Sequence, residues 1–290
     1  MKSLELSFAS VNSANYSKTV TVNILIPDSL NSDTGAMLFT HGWGGNRFQH
    51  LDKMEYSCDK YNMLCLATEY RMSGFDFDLI NGRGSYRPYD ASFLQVFDVL
   101  NSLREALQLF PQIDRHKIFH YGGSQGGQIA FLSTIFAPNT FAAVYSSSGM
   151  TWLSPNLRVQ CGREFTDYEL SVRSVIEHAA NIKCPIFMEH GDADETVYYE
   201  EHAVALQNKL KEEEKIYTMK LYPGGSHSLQ PTITKMDAFE YMIPKVMKVE
   251  KNPRIDDFRQ KSKVEINCAG RKLSIDWGEA SDSMQLFTWD

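Results

Sequence analysis

The chain contains apolar stretches of two kinds, and both predict β-strands. Residues 4–8 alternate apolar and polar side chains, residues 19–26 are β-branched and apolar, and an Asn- and Ser-rich connector separates them. This pattern predicts an antiparallel pair of strands that opens a sheet. The short, continuous apolar runs that follow are typical of strands buried on both faces. These runs are residues 36–40, 63–68, 118–121, 141–145, 185–189 and 216–221.

Segments with helical periodicity lie between most of these runs. In residues 91–110 the apolar side chains recur at helical spacing, and the segment stops at Pro111. Strands that alternate with helices form a parallel sheet covered on both faces, so the sequence predicts an α/β fold with a mostly parallel central sheet. The other predicted helices cover residues 48–61, 129–136, 168–180, 199–213 and 232–249.

Two internal segments interrupt this alternation. Residues 70–89 form a loop rich in Gly, Asp and Arg, and its length is unusual for a compact domain, which favours a functional role. Residues 150–181 form a polar insert that carries aromatic residues, and we predict that it is a small lid.

The character of the chain changes near its end. Residues 263–267 and 271–277 flank Ala269 and Gly270 as the strands of a hairpin would. This part is too short for a core of its own. We therefore predict a main domain over residues 1–250 and a C-terminal β extension, residues 251–290, that docks on it.

Composition narrows the class of protein. Of the 290 residues, 43% are hydrophobic, which is enough for a substantial core, and the net charge of -7 disfavours nucleic acid or an anionic membrane as the main partner. The five cysteines are scattered without C-x-x-C spacing, as expected for free thiols in a reducing compartment. No signal peptide and no run of roughly 18 apolar residues is present, so we expect a cytoplasmic protein that does not span a membrane.

The strongest chemical signal is the Gly-rich turn at residues 122–126, which fits the G-x-S-x-G pattern of a nucleophile elbow. A serine hydroxyl is a weak nucleophile, and a sharp turn between a strand and a helix lifts it out of the sheet toward a base. The positions two before and two after the serine must be small, and both are glycine. Ser124 is therefore the predicted nucleophile rather than an ordinary helix-capping serine.

Two further loops at the carboxyl edge of the predicted sheet complete a catalytic triad. His227 lies in a Gly-rich loop after the last strand of the main sheet and is the predicted base. Asp194, just past the strand at residues 185–189, is the predicted acid that orients the imidazole, although Asp192 and Glu195 are neighbours that could take its place. The chain order Ser, Asp, His is that of α/β-hydrolases.

A developing oxyanion needs preorganised donors, and the backbone N–H groups of Trp43 and Gln125 are placed to supply them. Among the other histidines, His41 and His190 lie in His-Gly turns and are predicted to be structural, and His120 is predicted to be a core residue. The sequence has no metal-binding spacing, and we predict no metal, nucleotide or flavin cofactor.

Taken together, these motifs resemble the α/β-hydrolases, and more closely the serine hydrolases of the prolyl oligopeptidase and acylaminoacyl peptidase type. The resemblance covers roughly residues 19–249. It rests on six motifs: His41-Gly42, Tyr70-Arg71, Ile113-Asp114, the glycines around Ser124, the segment from His190 to Asp194, and Gly225-Ser226-His227.

The resemblance implies the α/β-hydrolase fold and the triad, and it also has two departures. Peptidase members carry a β-propeller before the hydrolase domain, and no part of these residues is expected to form one. Met72 and Ser73 follow Tyr70-Arg71 where the family usually has Gly-Ser, which affects the neighbouring substrate contacts.

Substrate contacts are expected from the two interrupting segments. Arg71, Arg83 and Arg87 could bind a carboxylate or phosphate, although isolated arginines more often pair with nearby acids. Aromatic and apolar residues of the insert either line an acyl or leaving-group pocket or pack the lid. These residues are Met150, Trp152, Leu153, Phe165 and Tyr168.

The sequence therefore predicts a serine hydrolase that acts through an acyl-enzyme, most simply a carboxylesterase for a small acyl or carbohydrate-type ester. An ester leaves more easily than an amide, and the propeller that filters peptides is not expected. A small peptidase for short peptides or acyl-amino acids is one alternative, and a hydrolase-fold protein that only binds a ligand is another. The expected partner is this small substrate, and a homo-oligomer is compatible with the sequence.

Overall fold

An eight-stranded sheet forms the centre of the molecule in the computed structural model, which describes residues 1–13, 16–78, 80, 83–84, 88–249 and 251–290. Its first four strands are β1 Lys2–Ser13, β2 Tyr16–Ile26, β3 Gly35–Thr40 and β4 Met63–Glu69. A separate short pair follows, β5 Phe77–Asp78 and β6 Arg83–Gly84. The sheet continues with β7 Ile118–Gly123, β8 Ala143–Ser147, β9 Ile186–Gly191 and β10 Tyr217–Tyr222.

The strand order is β1-β2-β4-β3-β7-β8-β9-β10. The β1–β2 and β2–β4 pairs are antiparallel and the pairs from β4 to β10 are parallel. The carboxyl ends of β3, β7, β8, β9 and β10 therefore meet at one edge, where parallel sheets hold their active groups. The predicted mostly parallel sheet is confirmed.

Helices cover both faces of this sheet. One face packs on α1 (Leu51–Tyr61) and α7 (Lys235–Val246) through side chains such as Met54 and Phe239. The other face packs on α2 (Phe93–Leu109), α3 (Gln125–Phe136) and α6 (Ala205–Glu212). A π-helical turn, Glu200–Val204, leads into α6. The short helices are α4 Pro155–Gln160, α5 Asp167–Ser171 and α8 Asp257–Gln260.

The insert is less helical than the sequence predicts. The helix expected over residues 168–180 is only α5, which a capping box between Thr166 and Glu169 starts and which ends at Ser171. Its chain then turns inward because the buried Arg173 guanidinium donates to the carbonyls of Asp90 and Ala91 at 2.7 and 2.8 Å. Long-range hydrogen bonds therefore override the local helical pattern in this segment.

The last residues form a small antiparallel sheet of β11 Lys263–Cys268, β12 Arg271–Asp276 and β13 Phe287–Trp289. This sheet packs against the α2 and α3 helices: the rings of Phe97 and Phe287 stack with centroids 4.9 Å apart. The fully buried Trp277 donates its indole N–H to the Phe136 carbonyl at 2.9 Å. The extension thus covers helix surface that would otherwise expose aromatic side chains.

Candidate active site

Ser124 stands at the sharp turn between β7 and α3, at the carboxyl edge of the sheet. Its φ and ψ are 55° and -122°, a strained conformation for a residue with a side chain. A Cβ atom on Gly122 would lie 2.1 Å from the Gly126 carbonyl oxygen, and one on Gly126 would lie 2.1 Å from the Thr40 carbonyl oxygen. Only glycine fits at both positions, so the sequence pattern follows from the geometry of the turn.

Backbone hydrogen bonds hold the turn in place. The Ser124 N–H donates to the Ser147 carbonyl at 3.0 Å, and the Met150 N–H donates to the Ser124 carbonyl at 3.1 Å. Because β8 and the start of the insert anchor Ser124 from both sides, the strain can be maintained. The side chain itself stays partly exposed, although its neighbours in sequence are buried.

His227 and Asp194 come together at the same edge. The Nδ1 atom of His227 lies 2.8 Å from Oδ2 of Asp194, with His227 in the loop after β10 and Asp194 in the loop after β9. A carboxylate only accepts, so Nδ1–H donates, which leaves the Nε2 lone pair of a neutral imidazole free to take a proton. The structure pairs neither of the alternative acids with His227: Asp192 accepts from the Gly224 N–H, and Glu195 is exposed.

The Asp194 carboxylate is buried but well supplied with donors. Its Oδ1 accepts the N–H groups of Thr196 and Val197, both at 2.9 Å, and its Oδ2 accepts from His227 and from Nε2 of His190 at 2.9 Å. Burial alone would raise the pKa of Asp194, but the hydrogen bonds from His190 and His227 hold it below its usual value. Asp194 is therefore ionised at neutral pH.

His190 is a site residue that the sequence reasoning missed. Its His-Gly turn predicts a structural role, yet its Nε2 shares Asp194 Oδ2 with His227 and also lies 2.8 Å from the Val197 carbonyl. Both partners only accept, so Nε2–H is the donor. The spacing from His190 to Asp194 was the signal that could have revealed this contact, because a tight turn brings residues four apart together.

The two segments that carry the predicted oxyanion donors lie close to the nucleophile. Gln125 is the first residue of α3, so its N–H has no carbonyl one turn earlier in the helix to receive it. The loop after β3 passes directly by Ser124, since a Cβ atom on Gly42 would lie 3.3 Å from the Ser124 Cβ. Tyr89, which the sequence did not single out, joins the two: its ring stacks on Trp43 at 4.1 Å and its hydroxyl donates to Gln125 Oε1 at 2.7 Å.

Two other histidines have structural surroundings. His41 is buried, stacks on Tyr70 with ring centroids 4.0 Å apart, and burial lowers its pKa to about 4. His120 is buried in β7 with Nε2 3.0 Å from the Thr40 hydroxyl, and burial lowers its pKa to about 3. Both rings are therefore neutral at pH 7.

The prediction that Arg71 contacts the substrate is wrong. Arg71 has no exposed surface, and its Nε and Nη2 atoms donate to the two carboxylate oxygens of the equally buried Asp98 at 2.8 and 2.7 Å. Its guanidinium also donates to the Val11 carbonyl at 2.9 Å. The side chain instead ties β1 and α2 to the end of β4. Arg87 and the Arg83 side chain lie outside the described residues.

The predicted pocket residues of the insert occupy two different places. Met150 is buried in an apolar cluster with Tyr89 and Val197, next to the nucleophile turn. Trp152 is partly exposed, donates its indole N–H to the Glu201 carbonyl at 3.2 Å, and forms part of the wall of a cleft of about 700 Å³. None of the triad residues lines that cleft.

The five cysteines are all free and buried. Within the part of the chain that the structure describes, no three or more His, Cys, Asp and Glu side chains are grouped closely enough to hold a metal ion. Over the same residues, every helix is too short or too polar to cross a membrane.

Comparison with known proteins identifies the family. A model described as the prolyl oligopeptidase family matches residues 94–243, about half of the 290 residues, and this match includes Ser124, Asp194 and His227. The chain belongs to the prolyl oligopeptidase family. The resemblance predicted from the motifs is thereby confirmed. A curated relative, the uncharacterized peptidase YuxL of Bacillus subtilis (strain 168), is 30% identical over 176 residues, which cover 55% of this chain and 25% of that protein.

Solved structures confirm the α/β-hydrolase fold. An acylaminoacyl peptidase of Pyrococcus horikoshii aligns over 87% of this chain and 42% of its own, with a TM-score of 0.69 and 17% identity. A butyrate-bound esterase of Thermogutta terrifontis aligns over 86% of this chain and 96% of its own, with a TM-score of 0.61 and 18% identity. The chain spans a quarter of the length of the curated relative and less than half of the peptidase structure.

Proposed function

We propose that the protein is a serine hydrolase that works through an acyl-enzyme. The observation that carries the proposal is the Asp194–His227 hydrogen bond at the sheet edge where Ser124 stands in its strained turn. In the proposed reaction His227 Nε2 takes the proton of Ser124 Oγ as the oxygen attacks the carbonyl carbon, and then returns a proton to the leaving group. Asp194 stabilises the imidazolium, and the N–H groups of Trp43 and Gln125 stabilise the oxyanion.

The proposed substrate class is a carboxylic ester with a small acyl group or a carbohydrate-type alcohol. An ester has a better leaving group than a peptide and requires less of the catalytic groups. Trp43 and Phe77 are partly exposed and pack on the buried apolar cluster beside the nucleophile turn, and these two side chains favour a short apolar acyl chain. One solved structure of similar fold is described as a butyrate-bound esterase.

A small peptidase is the second candidate, and the family supports it. The matched family takes its name from an oligopeptidase, and the curated relative is described as a peptidase. The same triad would cleave an amide if the site holds the leaving amine where His227 can protonate it. Esters and amides therefore need a direct comparison on the same protein.

Covalent labelling tests the nucleophile. A fluorophosphonate probe should label the wild-type protein and leave Ser124→Ala unlabelled, whereas Ser7→Ala, a change on an exposed edge strand, should label like the wild type. Ser124→Ala should also lower kcat on the order of 10⁴–10⁶-fold, because the triad acts as a unit. An unlabelled wild type would favour a protein that only binds its ligand, and equal labelling of Ser124→Ala would place the nucleophile elsewhere.

Substrate class is tested by comparing p-nitrophenyl acetate and butyrate with aminoacyl p-nitroanilides. We expect a higher kcat/KM for the esters, and sugar acetates should then identify the alcohol. Faster cleavage of the anilides would overturn the esterase proposal in favour of the peptidase. Ser124→Ala serves as the blank for both substrate classes.

We also propose that the protein is cytoplasmic. Its support is that all five thiols are free and buried, as expected where glutathione and thioredoxin keep thiols reduced. Localisation of the tagged full-length protein by fractionation would test it, and recovery from an oxidising compartment would contradict it.

A further inference from the structure

Glu189 is a buried carboxyl group that the proposed mechanism does not use. It precedes His190 in β9, and because successive side chains of a strand point to opposite faces, it points away from the face that His190 occupies. It lies on the face that packs against α1 and α7, where Phe187 of the same strand belongs to the apolar cluster. Only 1% of Glu189 is exposed.

Polar groups from several elements surround this carboxyl, among them the hydroxyls of Tyr145, Ser147 and Tyr222. The Tyr222 OH lies 3.5 Å from Oε2, which is long for a hydrogen bond. Within the described residues, Glu189 Oε1, the Tyr121 hydroxyl and the Ser147 hydroxyl are buried without a hydrogen-bond partner of good geometry. The titratable groups that face Glu189 are Tyr121 of β7, Tyr145 of β8, Tyr222 of β10 and Lys235 of α7, with His50 and Lys53 of α1 beyond Lys235.

The same group lies where the three site-bearing strand ends meet. The Ser147 carbonyl next to it accepts the N–H of Ser124 at 3.0 Å, and the Glu189 carbonyl accepts the N–H of Ser148 at 2.9 Å. Tyr222 begins the loop that carries His227, and its carbonyl accepts the N–H of Gly225 at 3.0 Å. A change at Glu189 therefore affects the nucleophile turn, the loop that carries Asp194 and the loop that carries His227. Each of these begins at, or is hydrogen-bonded to, Glu189 or a residue beside it.

Lys235 links Glu189 to the triad by charge. Burial lowers the pKa of the Lys235 ammonium at the start of α7, and the charges of Glu189 and Asp194 both oppose this lowering. Ionised Glu189 competes with Asp194 for this cation, whereas neutral Glu189 leaves it to Asp194. The charge of Glu189 thus changes the potential at the Asp194–His227 pair.

Resting on the function proposed above, we propose that Glu189 is a positioning residue whose charge state, relayed by Lys235, tunes His227 as a base. Burial raises the pKa of Glu189 to about 7, against the opposing hydroxyls of Tyr145 and Ser147 and the Lys235 ammonium. The group therefore changes charge in the neutral range. Its ionisation adds negative potential near His227, which strengthens the imidazole as a base.

The first experiment requires no substrate. Glu189→Gln keeps the size of the side chain and removes its ionisation, and Glu240→Gln, an exposed change on α7, is the matched control. The melting temperature of the wild type should fall relative to Glu189→Gln as pH rises from 5 to 8, while Glu240→Gln should parallel the wild type. Parallel curves for the wild type and Glu189→Gln would overturn the assignment of a titrating Glu189.

The second experiment measures the rate of Ser124 labelling by the fluorophosphonate between pH 5 and 9. The pH profile of the wild type should show two ionisations, and that of Glu189→Gln only one. Lys235→Met should shift the ionisation of Glu189 to higher pH, because the variant lacks the cation that favours ionised Glu189. Identical profiles for the wild type and Glu189→Gln would overturn the positioning role and leave the proposed function standing. A wild type that is never labelled would overturn the proposed function itself, whatever the melting curves show.

Discussion

Two buried carboxyl groups five residues apart, Asp194 and Glu189, have opposite electrostatics. Asp194 accepts two backbone N–H groups and two imidazole N–H groups, and its pKa is lowered. Glu189 instead faces hydroxyl groups, with that of Tyr222 at 3.5 Å, and burial raises its pKa to about 7. Both side chains are almost fully buried, so burial does not distinguish them. The number and quality of donors decides which carboxyl is ionised at neutral pH.

The two groups also affect the pH dependence of stability in opposite directions. The folded-state pKa of Asp194 lies below the value of 3.8 for a free aspartate, so its stabilising effect is present above about that pH and is lost on acidification. The folded-state pKa of Glu189 lies above 4.5, so the folded state retains a proton that the unfolded state releases. Its contribution therefore falls as pH rises between 4.5 and about 7.

The largest expected effect comes from removing the charge of the donor-rich carboxyl. Asp194→Asn should lower kcat by about 10⁴-fold, because the amide no longer fixes the His227 tautomer that leaves Nε2 free. Ester hydrolysis under saturating substrate measures this loss. Glu189→Gln, the same chemical change, is the matched control and should cost less than about tenfold at pH 7. Similar losses in both variants would mean that donor number does not separate the two roles.

A third buried carboxyl, Asp98, extends the comparison because the guanidinium of Arg71 supplies two of its hydrogen-bond donors. Arg71→Met leaves Asp98 without its ion pair and should lower the free energy of unfolding by about 3–5 kcal/mol. Urea denaturation at pH 7 measures this change. The double variant Arg71→Met/Asp98→Leu should regain part of the loss, since no unpaired charge remains.

Kinetics of the Arg71→Met variant also test its assignment away from the substrate. The kcat/KM of the folded fraction should stay within about twofold of the wild type, since a fully buried guanidinium does not meet the substrate. A large rise in KM without a loss of stability would restore Arg71 as a substrate ligand.

A smaller effect is expected from His190, which supplies one of the four donors to Asp194. His190→Ala should lower kcat by about 10–100-fold with little change in KM, which corresponds to the loss of one hydrogen bond to a charged group. His190→Gln can place an amide N–H near the position of Nε2 and should recover part of the rate. If Gln and Ala behave alike, His190 contributes packing only.

The sequence predicted those features that depend on local pattern. The Gly-flanked Ser124 between strand and helix, and the order of the loops that carry Asp194 and His227, follow from the alternation of apolar runs and turns. Contacts between distant segments were not predictable. The Arg71–Asp98 pair joins residues 27 positions apart, and the Tyr89 link between Trp43 and Gln125 depends on how a long loop folds over the sheet edge.

Similar limits apply to the helices and the tail. The helical pattern of residues 168–180 predicts one helix, but the buried Arg173 binds carbonyls at residues 90 and 91 and ends α5 early. The third strand of the extension, β13, has only three residues, so its alternation was too short to recognise. In both cases the structure depends on contacts with another segment of the chain, namely those of Arg173 with residues 90 and 91 and the pairing of β13 with β12.

The smallest effect should come from Tyr222→Phe, which removes the long hydroxyl contact to Glu189. A neutral hydrogen bond at 3.5 Å contributes little, so stability at pH 5, where Glu189 is protonated, should change by less than about 1 kcal/mol. At pH 8 the loss should be greater, because the hydroxyl is one of the groups that lower the pKa of Glu189. Denaturation of the variant and the wild type at both pH values measures the difference.

The backbone donors of Asp194 have no such side-chain test, because no substitution at Thr196 or Val197 short of proline removes their N–H groups. An equal effect of Tyr222→Phe at the two pH values would show that the Tyr222 hydroxyl does not interact with the charge of Glu189. The contrast between the two carboxyls would then rest on the four N–H donors of Asp194 alone.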